Sequence, residues 1–356
     1  MSQPSRSIHR PEKLSRGTMS SVVVDRCQVC GDPKLQRVLF VGYLPPVNTM
    51  PRIGSPLCEQ PAYPADLLIC PSCSLAQLGL VVDPAILFPP EYPYTSGTTK
   101  ILRDNFAQLA EEVHQLYPPM PNDLIVDVGS NDGTLLGNFL AKGLRVHGVE
   151  PTNAGRIARS KGITTLTAFF DAAAVDQVLA ESGPARIVTA ANVFAHIEDV
   201  HAVVEGIVRL LAHDGLFISE SHYFLSLLET LQYDTIYHEH LRYYSLTSLK
   251  YLLEAHGLEV VHARPIPTHG GSIRVYAARP GAAKVEPSVA AMLAAESQGQ
   301  SPQALEDFRR KVVLTKLGLQ GLLRRIKGEG GRVYGIGAPS RASTLINYVG
   351  LDDGIL

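Results

Sequence analysis

At 356 residues the chain is long enough for about two domains of roughly 150 residues each. Lysine and arginine total 32 against 34 aspartates and glutamates, a net charge of −2, which leaves no basic field to attract nucleic acid and argues against such a partner. Hydrophobic residues at 45% and charged ones at 19% describe a chain that buries a core, outside the disordered class. Residues 1–21 are polar and lack the apolar run of a secretory signal, so a disordered tail and a cytoplasmic protein are expected. No stretch reaches the roughly 18 uninterrupted apolar residues of a membrane span, and no membrane partner is expected.

All five cysteines fall within the first 73 residues. Cys27-Gln28-Val29-Cys30 and Cys70-Pro71-Ser72-Cys73 are two C-x-x-C knuckles, with Gly31 and Pro71 suited to the turns. Paired knuckles let four thiolates converge on one Zn²⁺ at about 2.3 Å. The rival reading, buried thiols or a redox pair, is weaker because two such spacings occur together in a reducing compartment. Four thiolates close the coordination sphere, so the zinc would be structural, contributing on the order of 10 kcal/mol to folding a lobe over 22–90. Cys58 is expected to be a spare core thiol.

From Asp123 the pattern alternates strand and helix. Residues 124–128 form a buried-strand run, 129–133 a turn and 134–142 a helix, and a second strand over 144–149 ends at Glu150-Pro151. Such units build doubly wound sheets whose ligands lie beyond the carboxyl ends of the strands. Glu150 stands 23 positions after Asp127, where an acidic side chain can take both hydroxyls of a ribose. Dinucleotide folds need a glycine at the middle of this turn so that a pyrophosphate can approach, and here Asn131 occupies that place. The turn is similar to that of class I methyltransferases, which bind the phosphate-free cation S-adenosylmethionine, although another Rossmann-type site stays open. The cofactor candidates are Asp127, Gly129, Asn131, Asp132, Gly133, Glu150 and Asn192. Further strands are expected at 162–169, 185–191, 216–220, 258–264 and 272–278, with helices at 171–182 and near 199–212 and a turn at 213–215.

Among twelve histidines the densest group is Tyr237-His238-Glu239-His240, followed by Arg242, Tyr243 and Tyr244. Alone it would read as a solvated loop or a helix cap. The H-E-x-x-H spacing of zinc hydrolases is absent. Asn192 and His196 lie beyond the fourth strand, at the cofactor mouth, where they would meet this tetrad around one substrate. Histidine is the side chain best poised for base work near neutral pH, which makes His240 the first candidate. Glu239 would orient an imidazole or anchor a sugar hydroxyl or amine, and Tyr237 and His196 would donate hydrogen bonds to a developing oxyanion.

Taken together, the C-x-x-C pair, Tyr92-Pro93-Tyr94 with Ser96-Gly97, the 128–134 turn, Glu150-Pro151, Asn192 with His196, the 236–240 run, His269-Gly270-Gly271 and the 334–338 run resemble the sugar C-methyltransferases that act on nucleotide-activated deoxysugars. The resemblance implies an α/β fold, a class I methyltransferase Rossmann-like sheet over 91–281 with an N-terminal zinc-binding lobe. It further implies a helical connector over 282–330 and a partial C-terminal Rossmann-like unit over 331–356. It implies S-adenosylmethionine as cofactor and a nucleotide-sugar substrate, a 4-keto sugar on deoxythymidine diphosphate, methylated next to its carbonyl. His240 would be the base, Glu239 and Tyr237 its companions, Asn192 and His196 substrate contacts, and Tyr94 a positioning phenol, unless Tyr92 and Tyr94 only pack on the lobe. His238 stands where some members carry aspartate, which leaves the substrate open. A strand over 332–337 with Ser340 and Arg341 as donors would cradle a diphosphate, and the chain would be truncated after that unit. The rivals are an NAD-dependent nucleotide-sugar oxidoreductase and a non-catalytic zinc-lobed binding protein.

Overall fold

Short antiparallel strands build the N-terminal lobe in the computed structural model, which describes residues 19–48, 54–56, 58–88, 95–337 and 339–356. Tyr92, Tyr94 and residues 1–18 of the expected tail lie outside the described residues. Strand β1 (Ser21–Val23) is followed by β2 (Gln36–Leu44), β3 (Tyr63–Ile69), β4 (Ala76–Leu78) and β5 (Leu80–Val82), and β5 turns back to pair with β1. In β3 the strict alternation of Tyr63, Ala65, Leu67 and Ile69 turns one face inward, as a half-buried strand requires. Asp83 caps the single-turn helix α1 (Pro84–Leu87). Cys58 is exposed, not part of the core as expected, so it has no packing role.

After the helix α2 (Lys100–Leu116) the chain alternates β6 (Leu124–Val128), α3 (Thr134–Leu140), β7 (Arg145–Val149), α4 (Ala154–Ser160) and β8 (Thr165–Leu166). It then crosses through α5 (Ala172–Ser182) to β9 (Ala185–Ala191), and through α6 (Val200–Leu210) to β10 (Leu211–His222). The helix α7 (Phe224–Glu229), a two-residue strand β11 (Arg242–Tyr243), α8 (Leu246–Ala255), β12 (Glu259–Ile266) and β13 (Ser272–Ala278) complete this half. Helices α9 (Pro287–Gly299), α10 (Pro302–Gly328) and α11 (Ser340–Val349) follow.

The large sheet runs β12-β13-β10-β9-β6-β7-β8, parallel from β10 to β8, with β13 antiparallel to both its neighbours. That is the order of the class I methyltransferase fold. The switch of direction falls between β6 and β9, so the crevice for a ligand opens at their carboxyl ends. β6 is buried at all five positions, which explains its continuous apolar run around Asp127.

The turn expected at 213–215 is instead an irregularity inside the single strand β10, whose register with β9 shifts between Leu211 and Leu216. The strand expected over 332–337 does not form. Tyr334 and Ile336 are 74% and 99% exposed, with no sheet edge beside them to supply a hydrogen-bonding ladder.

A second sheet, β11-β4-β3-β2, joins the two halves: the lobe's β4 pairs with the far more C-terminal β11 through Arg242↔Gln77 and Tyr243↔Ala76. The apolar core is accordingly shared. Cys27, Val29 and Leu75 pack with Phe194, Val204, Tyr244 and Leu249, and Val38 and Leu67 with Phe224, Tyr233 and Tyr237.

Behind the crevice lies a buried ionic network. Arg274 donates to Glu220 Oε1 at 2.6 Å, to Glu112 Oε2 at 2.5 Å and to Asn105 Oδ1 at 2.9 Å, while Asn105 donates to Glu220 Oε2 at 2.8 Å. Removing one partner strands the other charges, so Arg274→Ala should lower unfolding stability by about 3–5 kcal/mol in denaturant titration. Arg264→Ala, on a part-exposed arm of the same network, should cost only about 1 kcal/mol.

Candidate active site

β6 carries Asp127 and opens directly into a turn with left-handed backbone at Gly129 (φ 69°), Asn131 (49°) and Gly133 (74°). A side chain at Gly129 would bring Cβ to 2.7 Å from Val193 Cγ2, and one at Gly133 to 2.5 Å from Ile163 Cδ1, so both positions require glycine. Asparagine tolerates this conformation, which lets a side chain stand where a pyrophosphate-binding turn would be bare. The Asn131 N–H donates to Glu150 Oε2 at 2.9 Å. Glu150, at the end of β7, also accepts from the Thr152 N–H (2.9 Å) and hydroxyl (2.6 Å). Asp127 is fully buried and accepts from Thr189 Oγ1 at 2.7 Å; burial, reinforced by Glu150 and Glu220, pushes its carboxyl up to about 7.

Asp132 serves the turn itself. It accepts from the Thr134 hydroxyl at 2.7 Å and from the Gly97 N–H and Lys161 Nζ at 3.2 Å. Asn131 Oδ1 accepts from the Ser96 N–H at 2.8 Å, so a 3-10 turn at Ser96–Thr98 lies against the glycine turn. Asn192, just past β9, has φ 60° and donates its N–H to Glu220 O at 2.8 Å, while its Oδ1 is buried without a partner among the described residues. An orphaned acceptor, an acidic strand end and a turn closed to phosphate suit a cationic nucleoside with an amine, which is the chemistry of S-adenosylmethionine.

Residues 237–240 are buried, not solvated. Their chain path is fixed from three sides. The Leu241 N–H donates to Ala195 O at 2.7 Å and its carbonyl accepts from the Leu78 N–H at 2.9 Å. The Arg242 guanidinium donates to Ile197 O and, at 2.7 Å, to Glu198 O, and the Tyr244 hydroxyl to Phe194 O at 3.3 Å. His240 Nδ1 lies 2.9 Å from Thr235 O. A carbonyl only accepts, so Nδ1 carries the proton and Nε2 keeps its lone pair. His196 Nδ1 bonds Glu239 O at 2.8 Å, with the same consequence.

The His240 ring is surrounded by Tyr237 at 4.3 Å, His222 at 4.7 Å and His196 at 5.1 Å between centroids. Burial, with the neighbouring imidazoles second, drives His240 well below its ordinary value, His196 to about 4 and His222 to about 3. The Glu239 carboxylate accepts from Asn48 Nδ2 at 2.5 Å, and His238 turns away to Pro64 O (3.2 Å) and the edge of Tyr63. The rings of His222 and His269 lie 5.5 Å apart; the sequence marks His269 only as the head of the His269-Gly270-Gly271 motif and does not mark His222, whose one signal is its position at the end of β10. Arg341 donates to Asp234 at 2.7 and 3.0 Å, an ion pair that joins α11 to the turn at Tyr233–Thr235.

The cysteine sulfurs lie within 4.8 Å of one another, with Cys27–Cys73 and Cys30–Cys70 both 3.5 Å apart. A tetrahedron with metal–sulfur bonds of about 2.3 Å has edges of about 3.8 Å. Hydrogen bonding among the thiols, with burial, holds the Cys27 and Cys73 protons on, and only a cation lets all four ionise together. The set fits a structural zinc ion.

Family models place a zinc binding domain at 27–88, a methyltransferase domain at 101–263 and a C-methyltransferase C-terminal domain at 267–356. C-methyltransferase NovU of Streptomyces niveus is 36% identical over 333 residues, 92% of this chain and 79% of NovU. The chain belongs to the C-methyltransferase family. This C-methyltransferase is an S-adenosylmethionine-dependent enzyme with a zinc-binding lobe, which removes the redox and non-catalytic rivals. Among solved structures, magnesium protoporphyrin IX methyltransferase from Synechocystis PCC 6803 aligns at 16% identity over 50% of this chain and 83% of its own, with TM-score 0.41. The glycopeptide N-methyltransferase MtfA aligns at 14% identity over 49% and 96%, with TM-score 0.40. No helix among the described residues is long and apolar enough to cross a membrane.

Purified C-methyltransferase should carry one zinc per chain by elemental analysis, and Cys70→Ser should lose it along with several kcal/mol of stability, on the order expected of a structural site. The histidines give a second expectation. The unfolded chain takes up protons near 6.5 while folded His196 does not until about 4, so stability should be complete above pH 6.5 and fall as the pH drops through that window in urea titrations.

Proposed function

We propose that this C-methyltransferase methylates the carbon next to the ketone of a nucleotide-activated keto-deoxysugar, of the deoxythymidine diphosphate type, with His240 as general base. The observation that carries this reading is the state of His240: a buried, neutral imidazole with Nδ1 tied to Thr235 O and a free Nε2. Such a group is poised to remove a weakly acidic proton from carbon. The motifs shared with sugar C-methyltransferases favour the sugar.

In this mechanism Nε2 takes the proton alpha to the ketone as the C–H bond breaks, and the electron pair moves onto the carbonyl oxygen to give an enolate. Tyr237, whose ring lies 4.3 Å from that of the base at a 39° tilt, donates to that oxygen. His196 presents an accepting Nε2 because its Nδ1–H is spent on Glu239 O, so it receives a sugar hydroxyl instead of serving as an oxyanion donor. Glu239 keeps a second sugar hydroxyl or amine in place. On the other side of the crevice Glu150 takes the ribose hydroxyls, the 129–133 turn lines the nucleoside, and Asn192 Oδ1 accepts from an amine. Asp127 supports the turn, and Asp132 locks it to Gly97 and Lys161. When bound, S-adenosylmethionine supplies an electrophilic methyl group on a sulfonium. Alignment of the two ligands across the β9 and β10 ends contributes up to roughly 7–11 kcal/mol.

Incubation with S-adenosylmethionine and a deoxythymidine diphosphate 4-keto-6-deoxyhexose should add one methyl group at carbon by mass spectrometry and NMR. His240→Asn should lower kcat about 10²–10⁴-fold with the affinity for S-adenosylhomocysteine unchanged. The acid limb of the kcat/KM profile should lie below pH 6.5, because the base is already unprotonated there. A fully active His240→Asn enzyme, or methylation of oxygen or nitrogen, refutes the reading.

A further inference from the structure

The hydrogen that His240 removes has one way out. Nδ1 is occupied by Thr235 O, so the proton must leave from Nε2, the atom that received it. Among the described residues the rings around His240 are those of Tyr237, His196, His222 and Tyr243. Until that proton departs, the base is not reset for another turnover.

His222 is the last residue of β10, opposite Ser272 of β13. Its ring lies 4.7 Å from that of His240 at 51° and 5.5 Å from that of His269 at 46°. These separations allow a direct or one-water link between ring nitrogens. Among the described residues no hydrogen bond is made by the His222 ring. His269 is part-exposed, and its Nε2 is buried with no partner among the described residues. Its backbone is also costly: φ 53° puts a histidine in the left-handed region, at the head of the Gly270-Gly271 pair. Gln232 Nε2 holds Gly270 O at 2.5 Å, and a Cβ at Gly271 would fall 2.5 Å from Ser226 Cβ, so the surroundings enforce this conformation. Strain of this kind persists where a side chain has work at the site.

We infer that His222 and His269 form a proton exit that returns His240 to its basic state after each methyl transfer. The inference rests on the reading of His240 as the base. The His240 Nε2–H bond breaks as a nitrogen of His222 gains the proton. The other nitrogen of His222 releases its proton to His269 Nε2, and His269 passes one to water. His240 both accepts and releases at Nε2, while His222 and His269 each accept at one nitrogen and release at the other, so protons alone move, only the tautomers of these two rings change and no electrons are transferred. The Arg341 charge, fixed on Asp234 near both rings, disfavours a proton lodged on either, which suits carriers and not reservoirs.

The test uses the full chain, loaded with zinc, and deoxythymidine diphosphate 4-keto-6-deoxyglucose as probe. His269→Gly relieves the left-handed backbone and so keeps the fold, and His222→Gln is a second variant on a rigid strand. Each should retain the wild-type rate in a single turnover and the wild-type KM for S-adenosylmethionine, while steady-state kcat falls about tenfold or more. In D₂O with S-adenosylhomocysteine present, exchange of the alpha hydrogen should slow to a similar extent. Added imidazole should restore both quantities in His269→Gly. Wild-type exchange and turnover in both variants, or a single-turnover rate that falls in step with kcat and is not rescued, overturns the exit. If wild type exchanges no hydrogen, or His240→Asn exchanges as fast as wild type, the base assignment fails and the exit with it.

Discussion

Two residues of antiparallel pairing, Arg242 and Tyr243 against Gln77 and Ala76, hold the enzyme's two halves in one frame. A two-residue strand has little stability of its own, so its persistence depends on what lies at each end. On the lobe side β4 follows directly from the second cysteine knuckle, where the Cys70 N–H donates to Leu75 O at 2.9 Å. On the sheet side the two terminal nitrogens of the buried Arg242 guanidinium donate to the carbonyls of Ile197 and Glu198. The loop carrying His240 lies immediately before this strand. The cysteine knuckle, the strand pairing and the loop of His240 therefore form one mechanical series joined by backbone hydrogen bonds.

The crevice divides into two electrostatic territories. Asp127 and Glu150 stand at the ends of β6 and β7, the acidic side to which the proposed reading assigns the cationic cofactor. Neutral imidazoles occupy the other side, kept uncharged by burial. The two meet at the ends of β9 and β10, where the Asn192 N–H is bonded to the Glu220 carbonyl and Glu220 is itself neutralised by Arg274. In the reaction proposed above, a sulfonium and an enolate would meet there without a fixed positive charge from the protein competing for the carbanion.

Much of this was legible in the sequence because it is local. The sheet strands at 185–191 and 272–278 stand where the apolar runs put them, since burial on both faces leaves no choice of residue type. The four cysteines were recognisable from spacing alone, and the Asp127 to Glu150 interval follows from one strand–helix–strand unit. What escaped is what tertiary partners decide. Glu239, His240 and Arg242 look like a solvated run until Asn48 bonds the first, the nearby Thr235 carbonyl the second and the Ile197 and Glu198 carbonyls the third. The 332–337 run has strand-forming residues but no neighbour to pair with, and Arg341 finds Asp234. His222 and His269 are 47 residues apart in sequence and acquire meaning only when β10 and the 3-10 turn at Thr268–Gly270 bring their rings together.

The zinc-anchored strand pairing keeps His240 as a neutral imidazole protonated at Nδ1. NMR of protein labelled with ¹⁵N in its histidine rings reads that state directly, before and after the zinc is stripped by a chelator. The account predicts a neutral Nδ1–H tautomer at pH 6.5 in the zinc-loaded enzyme, converting on metal loss to a ring that titrates like free histidine. A half-protonated ring or an Nε2–H tautomer in the loaded enzyme, or no change on stripping, would contradict it.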